Sequence, residues 1–261
     1  MKLSGKTALL TGATGGIGSA IARALAKEDV RLILIGRNSE KLAQLRQQLG
    51  GSEHLTLATD LTRAEGRRAL REMAAEYGID LLINNAGVNQ LALLEQVSDA
   101  ELATMIETNL AVPMRLCRDL LPLLEARSES AIVNVGSILG SIGYAGSVSY
   151  CATKFGLRGF SEALRRELAD RSVQVVYFAP RATTTPFNSD KMVAMNEALG
   201  TTVDSAEEVA ASLLDTLRQQ KPHNRYLGWP EKFFVRVNGL LPKLVDKALY
   251  KQLSIIRRFA E

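Results

Sequence analysis

The chain has 261 residues, of which 46% are hydrophobic and 23% are charged, the balance of an ordinary soluble globular protein. Its two cysteines and two histidines are too few and too scattered for a disulfide framework or a metal cluster. The net charge of +4 is carried by residues 229–261, which hold seven basic and three acidic residues, so residues 1–228 are neutral overall. A neutral body argues against nucleic-acid binding, which needs a basic face on the fold.

Short apolar runs alternate with helix-patterned segments along the chain, which is typical of a parallel sheet with helices on both faces. The predicted strands are Thr7–Leu10, Arg31–Ile35, His54–Ala58, Leu81–Ile83, Ala131–Val135, Gln174–Phe178 and Arg225–Leu227. The predicted helices are Ile17–Glu28, Glu40–Leu49, Ala64–Tyr77, Asp99–Ala126, Cys151–Asp170 and Ala206–Gln219. We expect Pro113 to kink or divide the fourth helix. The pattern predicts an α/β fold, a doubly wound parallel sheet of about seven strands.

The order of these elements also predicts the domain organisation. We expect a single catalytic domain over residues 1–228, followed by a basic amphipathic helical extension over residues 229–261. Residues 181–204 have no strand pattern and follow the sixth strand, where a long connection lies over the ligand crevice of an α/β sheet, so we expect a mobile substrate lid. No signal-peptide core and no run of about 18 apolar residues is visible, and we expect a cytoplasmic protein.

The first strand leads into a glycine-rich turn that opens the first helix. The turn reads Thr11-Gly12-Ala13-Thr14-Gly15-Gly16-Ile17-Gly18. Gly12 permits the tight turn, Gly16 lets the backbone approach a pyrophosphate, and Gly18 lets helix and strand pack closely. The helix N-terminus presents free N–H groups and the positive end of its dipole to the phosphates. This strand–turn–helix context predicts a dinucleotide site of the Rossmann type.

Three more motifs follow in order along the chain. They are Asp60-Leu61 after the third strand, Asn84-Asn85-Ala86-Gly87 after the fourth strand, and Tyr150-x-x-x-Lys154. Together with the spacing of the glycines, they resemble the short-chain dehydrogenase/reductase family over roughly residues 5–228. The resemblance implies an oxidoreductase that passes a hydride between a nicotinamide cofactor and a carbonyl or alcohol. It also implies that Asp60 and Leu61 contact the adenine and that Asn85, Ala86 and Gly87 belong to the cofactor site.

Tyr150 is the one tyrosine of six with a lysine four residues later, and both positions share a helix face. A nearby ammonium favours the phenolate and lowers the tyrosine pKa from its free value near ~10. The resemblance makes Tyr150 the catalytic acid/base and implies that Lys154 also holds the nicotinamide ribose. By the same resemblance, Ser137 hydrogen-bonds the substrate oxygen and Asn109 holds a water that feeds a proton relay.

The end of the second strand indicates which cofactor is used. An acid there would bind the ribose hydroxyl of NAD, but this chain has Gly36 followed by Arg37. A guanidinium attracts a 2′-phosphate, so we expect NADP(H) rather than NAD(H).

The segment after the sixth strand departs from the family pattern. Thr185 matches a family threonine and is expected at the cofactor, but Arg181 replaces the usual glycine after Pro180. A residue with a Cβ does not easily take a positive φ. Either the turn is different here, or Arg181 points at the substrate or at a cofactor phosphate.

The extension after residue 228 resembles that of members acting on lipophilic alcohols and ketones, such as retinol and steroid dehydrogenases. We therefore expect a small-molecule carbonyl or alcohol substrate that is hydrophobic. A ketoreductase of acyl thioesters is an alternative. A non-catalytic nucleotide-binding protein is a weaker one, because such proteins commonly lose the tyrosine or the lysine.

The extension leaves two further interpretations open. From Leu244 onward, apolar residues fill one side of a helical pattern, while Lys243, Lys247 and Lys251 follow the other side. The apolar side either packs on the enzyme or a dimer partner and covers the substrate pocket, or makes a peripheral contact with a membrane. In the family, the helices corresponding to Asp99–Ala126 and Cys151–Asp170 pair across two-fold axes, so we expect a homodimer or homotetramer.

Overall fold

The computed structural model describes residues 1–50, 53–219 and 223–261. Within these ranges, seven strands form one parallel sheet in the order β3-β2-β1-β4-β5-β6-β7. The strands are β1 Thr7–Thr11, β2 Arg31–Gly36, β3 Leu55–Ala58, β4 Leu81–Asn84, β5 Ser130–Val135, β6 Val173–Ala179 and β7 Asn224–Tyr226. Every predicted strand is present and ends within one residue of its prediction, and the predicted fold class is confirmed.

Helices connect the strands and form the end of the chain. They are α1 Gly16–Ala26, α2 Ser39–Leu49, α3 Ala64–Tyr77, α4 Asp99–Ile106, α5 Val112–Glu125, α6 Val148–Glu167, α7 Asp190–Ala198, α8 Ala206–Arg218, α9 Glu231–Leu240, α10 Pro242–Tyr250 and α11 Leu253–Ala260. Helix α7 was not predicted, and the extension forms three short helices. Among the described residues, no helix combines the length and the hydropathy needed to cross a bilayer.

Both faces of the sheet are buried. In β1, Ala8 and Leu10 face one core, which includes Ile21 of α1 and Leu213 of α8. Leu9, which points to the other face, belongs to a second core with residues of α3 and α5. Side chains alternate between the two faces of a strand, so a strand covered on both sides must be apolar throughout. This is why the central strands read as continuous apolar runs.

A wide helical turn separates α4 from α5. Residues Glu107–Ala111 are π-helical, and Pro113 follows directly inside α5. Proline has no N–H to donate to the carbonyl four residues earlier, which disrupts the regular ladder at this point. The regular α-helix is interrupted at Glu107–Ala111, just before Pro113, where the sequence predicts a kink or division. The turn contains Asn109, which is fully buried.

A buried polar chain ties the sheet to α6. Asn84 of β4 donates from Nδ2 to Oδ1 of Asn134 on β5, at 2.8 Å. Asn134 in turn donates from Nδ2 to Oγ of Ser161 on α6, at 2.9 Å. Hydrogen bonds in such a dry interior are strong and directional. They fix α6, which carries Tyr150 and Lys154, against the centre of the sheet.

Candidate active site

A cavity of about 720 Å³ lies at the carboxyl ends of the strands. Strands β1 and β4 are neighbours at the centre of the sheet, and the chain leaves them towards opposite edges, which is where open α/β sheets bind ligands. The cavity wall includes these residues expected at the site: Gly12, Thr14, Gly15, Gly16, Ile17, Gly18, Arg37, Asp60, Leu61, Asn85, Ala86, Gly87, Ser137, Tyr150, Lys154 and Thr185. Asn109, the remaining expected residue, lies behind the wall.

The glycine turn is as tight as its sequence predicts at two positions. Gly12 has a φ of +63°, a conformation that side chains disfavour. A Cβ on Gly18 would lie 2.2 Å from the carbonyl oxygen of Gly12. At Gly16, the space is used differently, because a Cβ there would lie 2.4 Å from the side chain of Thr185. Gly16 therefore makes room for Thr185 on the wall of the cavity, besides leaving the backbone accessible.

Asn85 joins the glycine turn to the loop after β4. Its Nδ2 donates to the carbonyl oxygens of Thr11 and Gly12, at 3.0 and 3.2 Å. The backbone N–H groups of Asn85 and Ala86 both donate to the hydroxyl of Thr11, at 3.0 Å each. The side chain of Asn85 therefore connects the loop after β4 to the glycine turn by hydrogen bonds.

Tyr150 and Lys154 lie in the first two turns of α6, side by side at the cavity wall. The ammonium of Lys154 donates to the carbonyl oxygen of Val135 at 2.9 Å, and its Nζ lies 5.6 Å from the centre of the Tyr150 ring. Both side chains are buried. The structure thus brings together the pair that the sequence spacing predicted.

Ser137 is held at the end of β5 by a tyrosine that the sequence did not single out. The hydroxyl of Tyr177 donates to the carbonyl oxygen of Ser137 at 3.0 Å and accepts from its backbone N–H at 3.2 Å. The neighbouring Gly136 leaves room for the Tyr177 ring, since a Cβ would lie 2.1 Å from it. Tyr177 pairs with Asn134 in the sheet, so its ring reaches diagonally to a glycine just past the end of β5, which only the strand register shows.

The pKa values of the central pair are set mainly by burial. Burial raises the pKa of Tyr150 above its ordinary value, and a hydrogen bond with Ser137 acts in the opposite direction. Burial lowers the pKa of Lys154 to about 8. Desolvation disfavours the charged form of either group, which accounts for both directions. Burial therefore raises the pKa of Tyr150 overall, opposite to the net lowering expected from Lys154, and Tyr150 is a neutral phenol at neutral pH.

Asn109 makes protein contacts on both sides of its amide. Its Nδ2 donates to the carbonyl oxygen of Val88, and its Oδ1 accepts from the N–H of Val88, both at 2.8 Å. Nδ2 also lies 3.3 Å from the hydroxyl of Thr153 on α6. Asn109 thereby fixes the loop after β4 against α6, directly behind Lys154. Its expected water-holding role stays a prediction.

Two side chains lie near the carboxyl ends of β2 and β3. Arg37 is exposed at the cavity rim, and within the described ranges its guanidinium makes no hydrogen bond or ion pair. Oδ1 of Asp60 accepts from the N–H and the hydroxyl of Thr62, at 3.0 and 2.8 Å. These bonds hold the pKa of Asp60 below its ordinary value. Asp60 is committed to its own loop, whereas Arg37 is available to an anion.

Arg181 lines the cavity, but its guanidinium is held by protein groups. Its Nη2 and Nε contact Oδ1 of Asp204 at 2.6 and 2.9 Å. Its Nη1 contacts Glu231 and the carbonyl oxygen of Trp229, each at 3.1 Å. Arg181 does not take the positive φ that a glycine could take here, since Asp29 is the one non-glycine residue with a positive φ in the described part of the chain. The turn after β6 therefore differs from the turn expected with a glycine at this position. Arg181 ties the end of the 181–204 segment to the extension.

The remaining wall of the cavity comes from the 181–204 segment, which the sequence predicts over the ligand crevice, and from the extension, which covers the substrate pocket in one of its two interpretations. Met192 and Met195 of α7 line it, together with Leu249 and Gln252 of the extension. A signal for α7 existed in Ser189, whose hydroxyl accepts from the N–H of Met192 as an N-cap. The mobility of the 181–204 segment and the domain division at residue 228 stay predictions.

Comparison with known proteins places the chain in a family. A family model described as short chain dehydrogenase matches residues 6–196. The chain belongs to the short-chain dehydrogenase family. The resemblance predicted from the motifs is confirmed, and the protein is an oxidoreductase of this family.

Individual relatives are similar over most of their length. Nodulation protein G of Rhizobium sp. (strain N33) is 37% identical over 222 residues, covering 80% of this chain and 89% of the relative. The 3-oxoacyl-(acyl-carrier-protein) reductase FabG of Vibrio cholerae is 34% identical over 246 residues, covering 92% and 98%. A short-chain dehydrogenase/reductase from Burkholderia phymatum in complex with NAD has a TM-score of 0.83, covers 94% and 96%, and is 22% identical. At that identity, the likeness shows the fold alone.

Proposed function

We propose that this dehydrogenase interconverts a carbonyl and a secondary alcohol on a hydrophobic small molecule, with NADP(H) as cofactor. The observation that carries the proposal is the convergence of Tyr150, Lys154 and Ser137 in the cavity that also contains the glycine turn. Each of these residues alone would be unremarkable in a fold of this size. Together they supply an acid, a cation and a hydroxyl beside a dinucleotide-type cleft.

The residues of the cavity fit a dinucleotide. The N-cap of α1 is Gly15, which offers no side-chain hydrogen bond to the first turn of the helix. The free N–H groups of a helix start are a site for phosphate. A side chain at Gly12 or Gly18 would collide with backbone, so glycine at these positions lets the turn pack this closely beside the cleft. Gly12–Gly18 would hold the pyrophosphate, while Asp60, Leu61 and Arg37 would surround the adenosine end.

The chemistry of reduction follows from the positions of three side chains. The bound nicotinamide supplies the hydride. Tyr150, a buried neutral phenol, donates its proton to the carbonyl oxygen of the substrate, and Ser137 donates a hydrogen bond to the same oxygen. The ammonium of Lys154, 5.6 Å from the ring centre, stabilises the phenolate that is left. Oxidation of an alcohol reverses these roles.

Replacement of Tyr150 by Phe tests this assignment. Tyr150→Phe removes the acidic hydroxyl and keeps the ring, so kcat should fall by about 10²–10⁴-fold, the usual contribution of such a group. The dissociation constant for NADPH should stay within a few-fold, because the ring still packs in place. Steady-state kinetics and a fluorescence titration measure the two quantities.

Tyr144→Phe is the matched control, because Tyr144 also lines the cavity but donates its hydroxyl to Gln252 at 3.2 Å. This variant should change KM more than kcat. If Tyr150→Phe keeps more than about a hundredth of the wild-type rate, Tyr150 is not the acid.

The preference for NADP(H) is supported by the end of β2. No acid stands at Gly36 or Arg37, and the exposed guanidinium of Arg37 makes no ion pair with a described residue. A 2′-phosphate would find a planar, charged donor there, whereas NAD would leave it unused. The NAD in the Burkholderia phymatum structure belongs to that protein, whose likeness shows only the fold.

Arg37→Asp tests the cofactor preference. The variant replaces an attraction for the 2′-phosphate by repulsion, which should cost on the order of 2–3 kcal/mol, or roughly 30- to 150-fold, in kcat/KM with NADPH. Activity with NADH should stay within a few-fold. Arg31→Asp, which makes the same charge change at the other end of β2, should leave the ratio of the two cofactors unchanged. A wild-type enzyme that prefers NADH would contradict the proposal.

Apolar side chains form much of the cavity wall beyond the glycine turn. They include Ile138, Leu139, Ile142, Phe187, Met192, Met195, Leu199 and Leu249. Burying apolar substrate surface against such a wall stabilises the complex by roughly 25 cal/mol per Å². This supports a hydrophobic substrate without naming it.

A second candidate is reduction of acyl thioesters, which the similarity to the 3-oxoacyl-(acyl-carrier-protein) reductase supports. Both candidates use the same catalytic residues. NADPH consumption with aliphatic, aromatic and steroid ketones, set against 3-oxoacyl thioesters, separates them. Higher kcat/KM on the thioesters would select the second candidate.

A homodimer or homotetramer is proposed from exposed apolar side chains on the helices expected to pair. These are Leu102 and Ile106 of α4, Met114 of α5, and Val148 and Phe155 of α6. Burial of such a patch against its own copy is the usual role of an apolar helix face. Light scattering should give a multiple of 28.4 kDa, and a monomer at micromolar concentration would contradict the proposal. The cytoplasmic location stays a prediction.

A further inference from the structure

Large apolar side chains remain exposed on the extension. They are Trp229, Phe233, Phe234, Leu240, Leu241, Leu244 and Tyr250, and we call them the tail surface. Leu240 is 81% exposed, Tyr250 76% and Trp229 69%. The rings of Trp229, Phe233 and Phe234 form a chain with successive centroids 6.1 and 6.0 Å apart. A continuous cluster of this kind marks an interaction site, unlike single exposed residues.

Packing of the extension on the body does not account for these side chains. Val245 and Leu249 of α10 pack with Ile142, and Ile256 of α11 packs with Met195. These contacts use the inner side of the extension. The expectation that the extension packs on the enzyme and lines the cavity therefore accounts for the inner side, while the tail surface faces outward and needs a different partner.

The outward direction of the tail surface is fixed by polar contacts. Arg181 holds Glu231 at the start of α9. Farther along α9, Asn238 donates from Nδ2 to the carbonyl oxygen of Ser141, at 2.9 Å. Rotation of α9 to bury its aromatic side chains against the body would break both contacts. The tail surface is thus a fixed feature of the fold.

Basic residues accompany the tail surface. Five of them, Lys232, Arg236, Lys243, Lys247 and Lys251, are exposed, and none forms an ion pair within the described residues. Asp246 is the one acid among residues 232–251. The surface therefore combines exposed aromatic and aliphatic side chains with a local net charge of four positive units.

This combination decides between two kinds of partner. A second copy meeting this surface across a two-fold axis would place the same basic residues against each other, and lysine is depleted from protein interface cores. An anionic bilayer can accommodate both the exposed apolar side chains and the positive charge of this surface. Apolar side chains enter the headgroup region, aromatic rings lie at its boundary, and the lysine ammoniums reach lipid phosphates.

We propose that the tail surface docks the enzyme on an anionic lipid bilayer as a peripheral, interfacial contact. Pro230 and Leu249 of the same extension line the cavity, so docking brings the cavity close to the lipid. Delivery of a hydrophobic substrate from the bilayer would follow, and only that consequence rests on the proposed function. The docking itself does not depend on catalysis.

Co-sedimentation of the full chain with vesicles tests the proposal. The protein should bind vesicles of phosphatidylcholine mixed with phosphatidylserine, bind phosphatidylcholine alone much more weakly, and dissociate as salt is raised. The triple variant Lys243→Gln, Lys247→Gln and Lys251→Gln should bind roughly 100-fold more weakly, since each basic residue contributes about fivefold at an anionic surface. The pair Leu240→Ser and Leu244→Ser should also weaken binding, by loss of apolar insertion.

The matched control is Lys2→Gln, Lys41→Gln and Arg46→Gln, which removes three exposed charges away from the extension and should leave vesicle binding unchanged. The affinity of every variant for NADPH, measured in solution, reports an intact fold. The proposal is overturned if wild-type protein stays in the supernatant with anionic vesicles at low salt. It is also overturned if the control variant loses binding as much as the tail variants do. A change in oligomeric state in the leucine variant without any vesicle binding would assign the surface to a second copy.

Discussion

The site depends on how closely three backbone segments approach one another at the centre of the sheet. A Cβ at Gly12 would lie 2.8 Å from the Cα of Ala86, and one at Gly18 would lie 2.2 Å from the carbonyl oxygen of Gly12. Asn85 holds this arrangement by bonding two carbonyl groups of the turn. No side chain fits between the segments, and the residues at the start of α1 line the cleft, where the free N–H groups of a helix start are what a bound phosphate needs.

The reacting end of the cavity is fixed by buried polar contacts from the other side. Tyr177 holds the backbone of Ser137, the carbonyl of Val135 holds Lys154, and Asn134 holds α6 through Ser161. Such support keeps side chains in the geometry that proton transfer requires. The same burial raises the pKa of Tyr150 and lowers that of Lys154 to about 8, which at neutral pH still leaves a phenol and an ammonium, the two forms that the proposed reduction requires.

The sequence predicted the features that local physics determines. Apolar runs predicted all seven strands to within one residue. The requirement for glycine in a tight turn identified Gly12 and Gly18 as positions of close backbone approach. Features that depend on distant contacts were not predicted. Arg181 contacts residues 23 and 50 positions away. Helix α7 is only nine residues long, too short for its helical periodicity to stand out in the sequence. The pKa of Tyr150 was expected in the wrong direction, because spacing shows the neighbouring lysine but not the depth of burial.

The central claim is that this cavity passes a hydride between a reduced nicotinamide and a carbonyl carbon. The most direct measurement uses NADPH carrying deuterium at the transferred position of the nicotinamide, with a ketone or 3-oxoacyl thioester that the enzyme reduces, and mass spectrometry of the product. The account predicts one deuterium on the carbinol carbon of the alcohol. The account is contradicted if the alcohol carries no deuterium whichever face of the nicotinamide is labelled. It is also contradicted if NADPH binds but is not consumed with any carbonyl compound.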